Sequence, residues 1–215
     1  MSVSVPAERF ERWVLNFQGR HGATGLCVAG GALTGAASDG STFTARLPFD
    51  RTYDGLPDAA AFRAEMAAPD DWGVLLVRKG GFAVARLSGT KTTDSKVGQR
   101  HVQGRTKAGG QSQQRFARRR DNQARQAYEA AADHAARILA EGLDKLDHRL
   151  PVVTGGDHAA VEEVLADSRL KQLTVVAPWL TVPDPKRGIL EQAVADACAA
   201  RVEVANADDS GCSDG

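Results

Sequence analysis

The sequence lacks the features that would place the protein outside a reducing compartment. Its three cysteines, Cys27, Cys198 and Cys212, stand far apart and form no CxxC pair, which excludes a disulfide framework. Apolar runs such as residues 74–77 are far too short to span a bilayer. The first residues have neither the basic start nor the apolar core of a signal peptide. We therefore expect a soluble, cytoplasmic protein with no membrane partner.

The chain also lacks a net charge, with 27 basic and 27 acidic residues. This balance conceals a strongly basic segment, residues 96–125, in which nine lysines and arginines face one acid, Asp121, for a local charge of +8. The remainder of the chain therefore carries −8. A basic segment on an acidic body is typical of polyanion binding. Because the segment has one aromatic residue, Phe116, we expect recognition of phosphates and shape, with little base stacking.

Histidine spacing argues against a metal site. The five histidines form no HxxxH or HExxH pattern, so we expect no metal and no other cofactor. Gly155-Gly156-Asp157 follows a predicted strand and opens a predicted helix, as a phosphate-binding turn would. It lacks the full glycine fingerprint and a Lys-Ser/Thr pair. We interpret it as a strand-to-helix turn capped by Asp157.

Hydrophobic periodicity predicts an α/β fold. After Asp71, strands alternate with helices, which indicates a mixed β-sheet flanked by helices. The predicted strands there are residues 72–78, 82–87, 90–103, 150–154, 173–177 and 202–204, and the predicted helices are residues 157–166, 188–200 and a long helix that Ser112 caps. That long helix has a predicted buried stripe of Phe116, Ala124, Ala127, Ala131, Ala135, Ile138 and Leu139.

The chain is expected to divide into three segments. Residues 1–70 should form an N-terminal subdomain with a helix that begins at Pro6, two or three short strands over 23–49, and a helix over 56–67. Residues 71–205 should form the α/β domain, and residues 206–215 a disordered tail.

Residues 104–111, between the third strand and the long helix, have three glycines and no apolar pattern, so we predict a mobile loop. Adjacent glycines at 109 and 110 let the backbone adopt positive φ and approach RNA without a Cβ clash. The N–H group of Gln111 can stabilise charge that develops on an oxygen. Its side chain does not titrate and would not act as a general base. Taken alone, the loop is better interpreted as an ordinary glycine-rich connection, capped by Ser112, between a strand and a helix.

The residues around this loop make it more specific. Gly109-Gly110-Gln111-Ser112, followed by Arg115-Phe116-Ala117-Arg118 and Arg120, resembles the catalytic-loop signature of eukaryotic and archaeal class-one peptide-chain release factors. The resemblance covers about residues 71–204 and is tightest over 109–120. Residues 1–70 are too short for the stop-codon-reading domain of those factors. The chain is therefore more similar to the VLRF family, release-factor-like proteins of ribosome-associated quality control, and most similar to its actinobacterial members.

The resemblance implies a release-factor catalytic domain with a ribonuclease H-like layer, a mobile GGQ loop and peptidyl-tRNA hydrolysis on stalled ribosomes or large subunits. It assigns catalysis in the peptidyl-transferase centre to Gly109, Gly110 and Gln111, whose neutral side chain would help to admit and orient water. The RNA-binding candidates are Arg105, Lys107, Ser112, Arg115, Arg118, Arg119 and Arg120.

The expected partners are the large ribosomal subunit and peptidyl-tRNA, and we expect a monomer because a single copy must enter the ribosome. Two other functions remain open from sequence. One is a tRNA endonuclease that cuts near the CCA end, since such activity has been attributed to relatives in the VLRF family. The other is a non-catalytic binder of the ribosome or of tRNA.

Overall fold

The computed structural model describes residues 1–99, 125–143 and 149–207. The chain divides into two compact units, Met1–Ala68 with Ala195–Gly215 and Pro69–Val194. Each unit contains a five-stranded sheet, and helices pack in both. The α/β fold predicted from sequence is confirmed. No helix among the described residues is both long and apolar enough to cross a membrane.

The first unit is an antiparallel sheet with helices. Its strands stand in the order β1-β10-β4-β3-β2. Helix α1 buries Phe10, Val14 and Phe17 because these residues recur at helical spacing. The bounds are β1 (Ser2–Val5), α1 (Ala7–His21), β2 (Thr24–Ala29), β3 (Ala32–Ala37), β4 (Thr42–Arg46), α2 (Ala59–Ala64) and β10 (Ala200–Ala205).

Two details of this unit differ from the sequence prediction. The helix predicted over residues 56–67 is shorter, because the side chain of Asp58 accepts a hydrogen bond from the Ala61 N–H (2.9 Å) and so caps α2 at Ala59. Strand β10 falls within the predicted 71–205 domain but pairs with β1 and β4 of the first unit. This pairing is between residues about 155 to 200 positions apart, and no local pattern encodes it.

The second unit contains the mixed sheet. Its strands stand in the order β7-β6-β5-β8-β9. Strand β6 is antiparallel to β5 and β7, whereas β8 is parallel to β5 and β9. The bounds are β5 (Trp72–Arg78), β6 (Gly81–Ser88), β7 (Lys91–Gln99), β8 (Leu150–Gly156), α4 (His158–Leu165), a 3₁₀ turn (Ser168–Leu170), β9 (Leu173–Leu180) and α5 (Arg187–Ala197).

The long helix of this unit, α3, is helical from residue 125, where the described residues resume, to residue 140. Its last turn, Ala136–Ala140, is a π-helix. The predicted buried stripe is confirmed as far as the structure describes it, because Ala127, Ala131, Ala135, Ile138 and Leu139 are all buried. Phe116, Ala124 and the Ser112 cap lie outside the described residues.

Helix α3 packs closely on the sheet at Gly73. A Cβ added to Gly73 would lie 2.6 Å from Leu139 Cδ2 and 3.3 Å from Val152 Cγ2. Leu139 is fully buried and belongs to the core of the unit. The glycine therefore lets the helix approach the sheet, and Leu139 fills the contact.

Leu139→Ala is expected to lower the free energy of unfolding by about 2–5 kcal/mol, because it removes a buried side chain and leaves a cavity. Urea denaturation followed by tryptophan fluorescence measures the change. Leu15→Ala is the matched control, since Leu15 is 65% exposed, and its effect should stay within about 0.5 kcal/mol. Equal effects of the two substitutions would contradict the packing described for α3.

Candidate functional site

The sequence-predicted site residues lie outside the described residues. This holds for Gly109, Gly110 and Gln111, and for Arg105, Lys107, Ser112, Arg115, Arg118, Arg119 and Arg120. The structure does describe both flanks of their segment. Strand β7 ends at Gln99, and α3 is helical from residue 125.

Strand β7 ends at the edge of the sheet where three other strands also end. Because β6 is antiparallel to both β5 and β7, these two strands run in the same direction, and β8 and β9 share that direction. Gln99 and Arg78 are both opposite Gly81, and Val77 is opposite Gly156. We call this the carboxyl edge. In open α/β sheets, ligands bind outside the carboxyl ends of the strands.

The carboxyl edge presents a cation and a flat ring pair. The half-exposed Arg78 donates from Nη1 to the Val182 carbonyl (2.7 Å), and its Nε lies 3.5 Å from Asp184 Oδ1. Next along the edge, the exposed His158 stacks on Trp179, with ring centroids 3.6 Å apart and an interplanar angle of 9°. Local sequence patterns reveal neither the ring pair nor the Arg78 contacts, because the partners are distant in the chain.

The turn into α4 has the structure predicted for it. The Asp157 side chain accepts a hydrogen bond from the Ala159 N–H (3.2 Å), and the Asp157 N–H donates to the Val77 carbonyl (2.9 Å). A Cβ at Gly156, where φ is +106°, would lie 2.3 Å from that same carbonyl. The glycine is thus required by close approach of two strands, and the interpretation as a strand-to-helix turn is confirmed.

The first described turn of α3 is packed beside α4. Tyr128 is buried on the sheet side, and this burial, followed by the charges of Asp157 and Glu163, raises its pKa. A groove of about 570 Å³ lies between the two helices and is lined by Arg125, Arg169 and the four acids Glu129, Asp133, Glu163 and Asp167. With four carboxylates against two guanidinium groups, this groove disfavours a polyanion.

The far end of α3 is held by Arg86 on β6. Its Nε and Nη2 donate to the two carboxylate oxygens of Asp71 (2.8 and 2.7 Å), and its Nη1 donates to the Glu141 carbonyl (3.0 Å). The fork to Asp71 raises the pKa of Arg86. One side chain thus joins β6, the segment before β5 and the end of α3, an arrangement that only the planar guanidinium geometry supplies.

Two exposed ion pairs also connect α3 to its surroundings. Arg137 donates to Asp94 on β7 (2.7 Å), and this bond lowers the pKa of Asp94. Arg169 forms ion pairs with Asp133 on α3 (2.8 Å) and with Asp167. The side chain and the N–H of Arg169 both donate to Asp167 and lower the pKa of Asp167 to about 2. Helix α3 is therefore tied to β7, β6 and the 3₁₀ turn.

Arg86→Gln is expected to destabilise the second unit by about 1–3 kcal/mol, because it leaves the Asp71 carboxylate and the Glu141 carbonyl without their charged donor. Arg137→Gln is the matched control. That pair is about half exposed on both sides, so solvent screens it and its loss should cost less than the loss of the Arg86 contacts. Urea denaturation of both variants gives the comparison, and a larger effect of the Arg137 change would overturn this ranking.

Across residues 1–99, 125–143 and 149–207, no group of three or more His, Cys, Asp or Glu side chains is arranged to hold a metal ion. Two cysteines are described. Cys27 is exposed, and Cys198 is partly buried. Burial raises the pKa of the Cys198 thiol to about 11.

A comparison with known families finds a match over nearly all of the second unit and part of β10. A family model described as "Actinobacteria/chloroflexi VLRF1 release factor" matches residues 70–203, more than half of the chain. No curated protein matches the chain. The match begins just before β5 and includes β7, the segment that contains Gly109-Gly110-Gln111, and α3.

Proposed function

The chain belongs to the Actinobacteria/chloroflexi VLRF1 release factor family, and on that basis we propose that it is a peptidyl-tRNA hydrolase. Membership in a release-factor family supports a role in translation termination or ribosome rescue. The proposed finer role is release of nascent chains from stalled ribosomes or large subunits. The observation that supports it most is the sequence Gly109-Gly110-Gln111-Ser112 within the matched residues.

In the proposed reaction, water attacks the ester between the nascent peptide and the terminal ribose of the tRNA. The water oxygen bonds to the carbonyl carbon, the ester C–O bond breaks, and the 3′ oxygen takes a proton. The ribosome already holds the ester, so the protein needs to supply water placement and charge stabilisation. We assign these tasks to the N–H and the neutral side chain of Gln111, with Gly109 and Gly110 as the residues that permit close approach.

The described flanks are compatible with this role. Eleven peptide units separate Gln99 from Gly110, which allows a reach of at most about 36–40 Å from the carboxyl edge. Strand β7, from which that reach starts, is tied to α3 by the bond from Arg137 to Asp94. A fixed base reduces the entropy lost when a terminal group is positioned for reaction.

We further propose that the protein acts as a monomer on the large subunit, with Arg105, Lys107, Ser112, Arg115, Arg118, Arg119 and Arg120 on RNA. Nine cations against one acid in residues 96–125 support a phosphate-rich partner. The acidic groove between α3 and α4 disfavours a polyanion there, which supports a contact through the residues before 125.

The decisive experiment incubates purified ribosome–nascent-chain complexes with the protein and examines both products. Released peptide together with a tRNA whose CCA end is intact is the expected result. A shortened tRNA would replace the proposal by endonucleolytic cleavage. Ribosome-bound protein without any released peptide would indicate a non-catalytic binder of the ribosome or of tRNA.

A further inference from the structure

One flank of helix α1 gathers three arginines and a tryptophan. The residues that share this flank are Arg9, Arg12, Trp13, Asn16 and Arg20, and we call them the α1 face. Their spacing of three, one, three and four positions places them on one side of the helix. Trp13 is half-buried and the other four are exposed. Helix α1 lies outside the residues that the family model matches.

The arginines of the α1 face have no acidic partner in the part of the chain that the structure describes. The ion pairs of this unit join Glu11 to Arg63 and Asp39 to His21. Glu8 is the acid one helical turn before Arg12, but it forms no ion pair with it. Three neighbouring cations without counter-charges repel one another, so they cost the isolated protein free energy and favour an anionic ligand.

Two grooves run beside the α1 face, and both are lined by Trp13 and Asn16. The first, of about 520 Å³, extends over Arg9 and Arg12 to Ser4 on β1. The second, of about 660 Å³, continues past Arg20 to Ser41 and Asn206. From Arg9 to Arg20 the helix advances about 16 Å, which is the length of four to five phosphates along one stacked strand.

Trp13 provides a flat surface between the cations. Its ring packs edge-on against Phe43 (centroids 5.2 Å apart, 89°) and lies 5.9 Å from the Phe17 ring at 22°. These contacts hold the ring from the core side, while its remaining surface lines both grooves. A held aromatic ring is a suitable platform for a base or a ribose.

Among the described residues that line the second groove, the acid is Asp39. Its carboxylate accepts hydrogen bonds from the Ser41 N–H and from His21 Nδ1, both 2.8 Å long, and these bonds lower the pKa of Asp39. The carboxylate is thus ionised and already occupied by donors at the end of the groove. It forms no ion pair with Arg20, because its ion pair is with His21, and the α1 face stays basic.

We propose that the α1 face is an RNA-binding surface, on which the three arginines hold phosphates and Trp13 contacts a base or a ribose. Guanidinium forks match phosphate geometry, and a flat ring between them suits a nucleotide better than an acidic peptide. The proposal does not rest on peptidyl-tRNA hydrolysis, because it concerns binding by the first unit alone.

The first test measures binding of the full chain to purified bacterial large ribosomal subunits over a series of salt concentrations. The triple change Arg9→Gln, Arg12→Gln, Arg20→Gln should weaken binding at least tenfold and reduce the slope of log affinity against log salt by about two to three. The matched control changes Lys91, Arg149 and Lys171 to Gln. These exposed cations lie at or just before the amino-terminal ends of β7, β8 and β9. Their loss should change affinity less than twofold. Equal losses, or none in the α1 triple, would overturn the proposal.

The second test identifies the partner directly. p-Benzoylphenylalanine at position 16 should crosslink to ribosomal RNA on irradiation of the same complexes. The same group at position 15 should crosslink far less, because Leu15 is also exposed but lies about 100° around the helix axis from position 16. A crosslink from position 16 to a ribosomal protein, or no crosslink at all, would refute the RNA assignment. Since neither test measures peptide release, a failed hydrolysis assay leaves their outcome unaffected.

Discussion

Gln111→Ala is expected to reduce peptide release by about 10²–10³-fold while ribosome affinity changes little. The loss is that of one donor or one water-orienting group at the reacting ester, and affinity persists because the cations around it remain. Single-turnover release of a labelled peptide, with co-sedimentation of the same variant on ribosomes, measures both quantities. Reduced kcat at constant Kd is the signature of a group that acts in the transition state.

Gln113→Ala is the matched control for this change, because it removes the same side chain two positions further along the segment. It should retain release within a few-fold of the unmodified protein. Unchanged release by Gln111→Ala would remove the hydrolase assignment. Equal losses from both changes would show that the segment responds to truncation in general.

The combined change of Arg115, Arg118 and Arg119 to Gln is expected to weaken ribosome binding by about 10²-fold at low salt. Each guanidinium–phosphate contact contributes a charged hydrogen bond of about 1.5–3 kcal/mol, part of which solvent and neighbouring cations replace. The slope of log affinity against log salt should flatten by about two to three. Titration of labelled protein onto ribosomes at several salt concentrations gives both numbers.

Replacement of the same three arginines by lysine separates charge from geometry. The lysine variant should keep most of the salt slope, because the net charge is unchanged, but lose part of the affinity where a bidentate fork is used. Unaltered affinity in the glutamine variant would show that the basic segment does not hold the RNA.

Local patterns in the sequence predicted much of the second unit. Strands β5 and β6, the buried stripe of α3 from Ala127 to Leu139, and the Asp157 cap all agree with the structure. Each depends on residues within a few positions of one another, where periodicity and capping chemistry determine the outcome. The motif Gly109-Gly110-Gln111 was also identified from residues adjacent in the sequence.

Contacts between distant residues could not be predicted in this way. No pattern indicated that Arg86 joins Asp71 to the end of α3, or that His158 stacks on Trp179. The α1 face was also missed, although its arginines are visible in the sequence, because their lack of acidic partners depends on how Glu11 and Asp39 are engaged.

The sequence by itself determined the elements of the second unit, the position of the basic segment and the Gly-Gly-Gln motif, because these follow from spacing along the chain. Only the tertiary structure decided that β7 ends at the same edge as β5, β8 and β9, and that β10 lies between β1 and β4 in the sheet of the first unit. The physical reason is that strand pairing and side-chain bridges are selected by the burial and hydrogen bonding of the whole unit, in which residues far apart in sequence become neighbours.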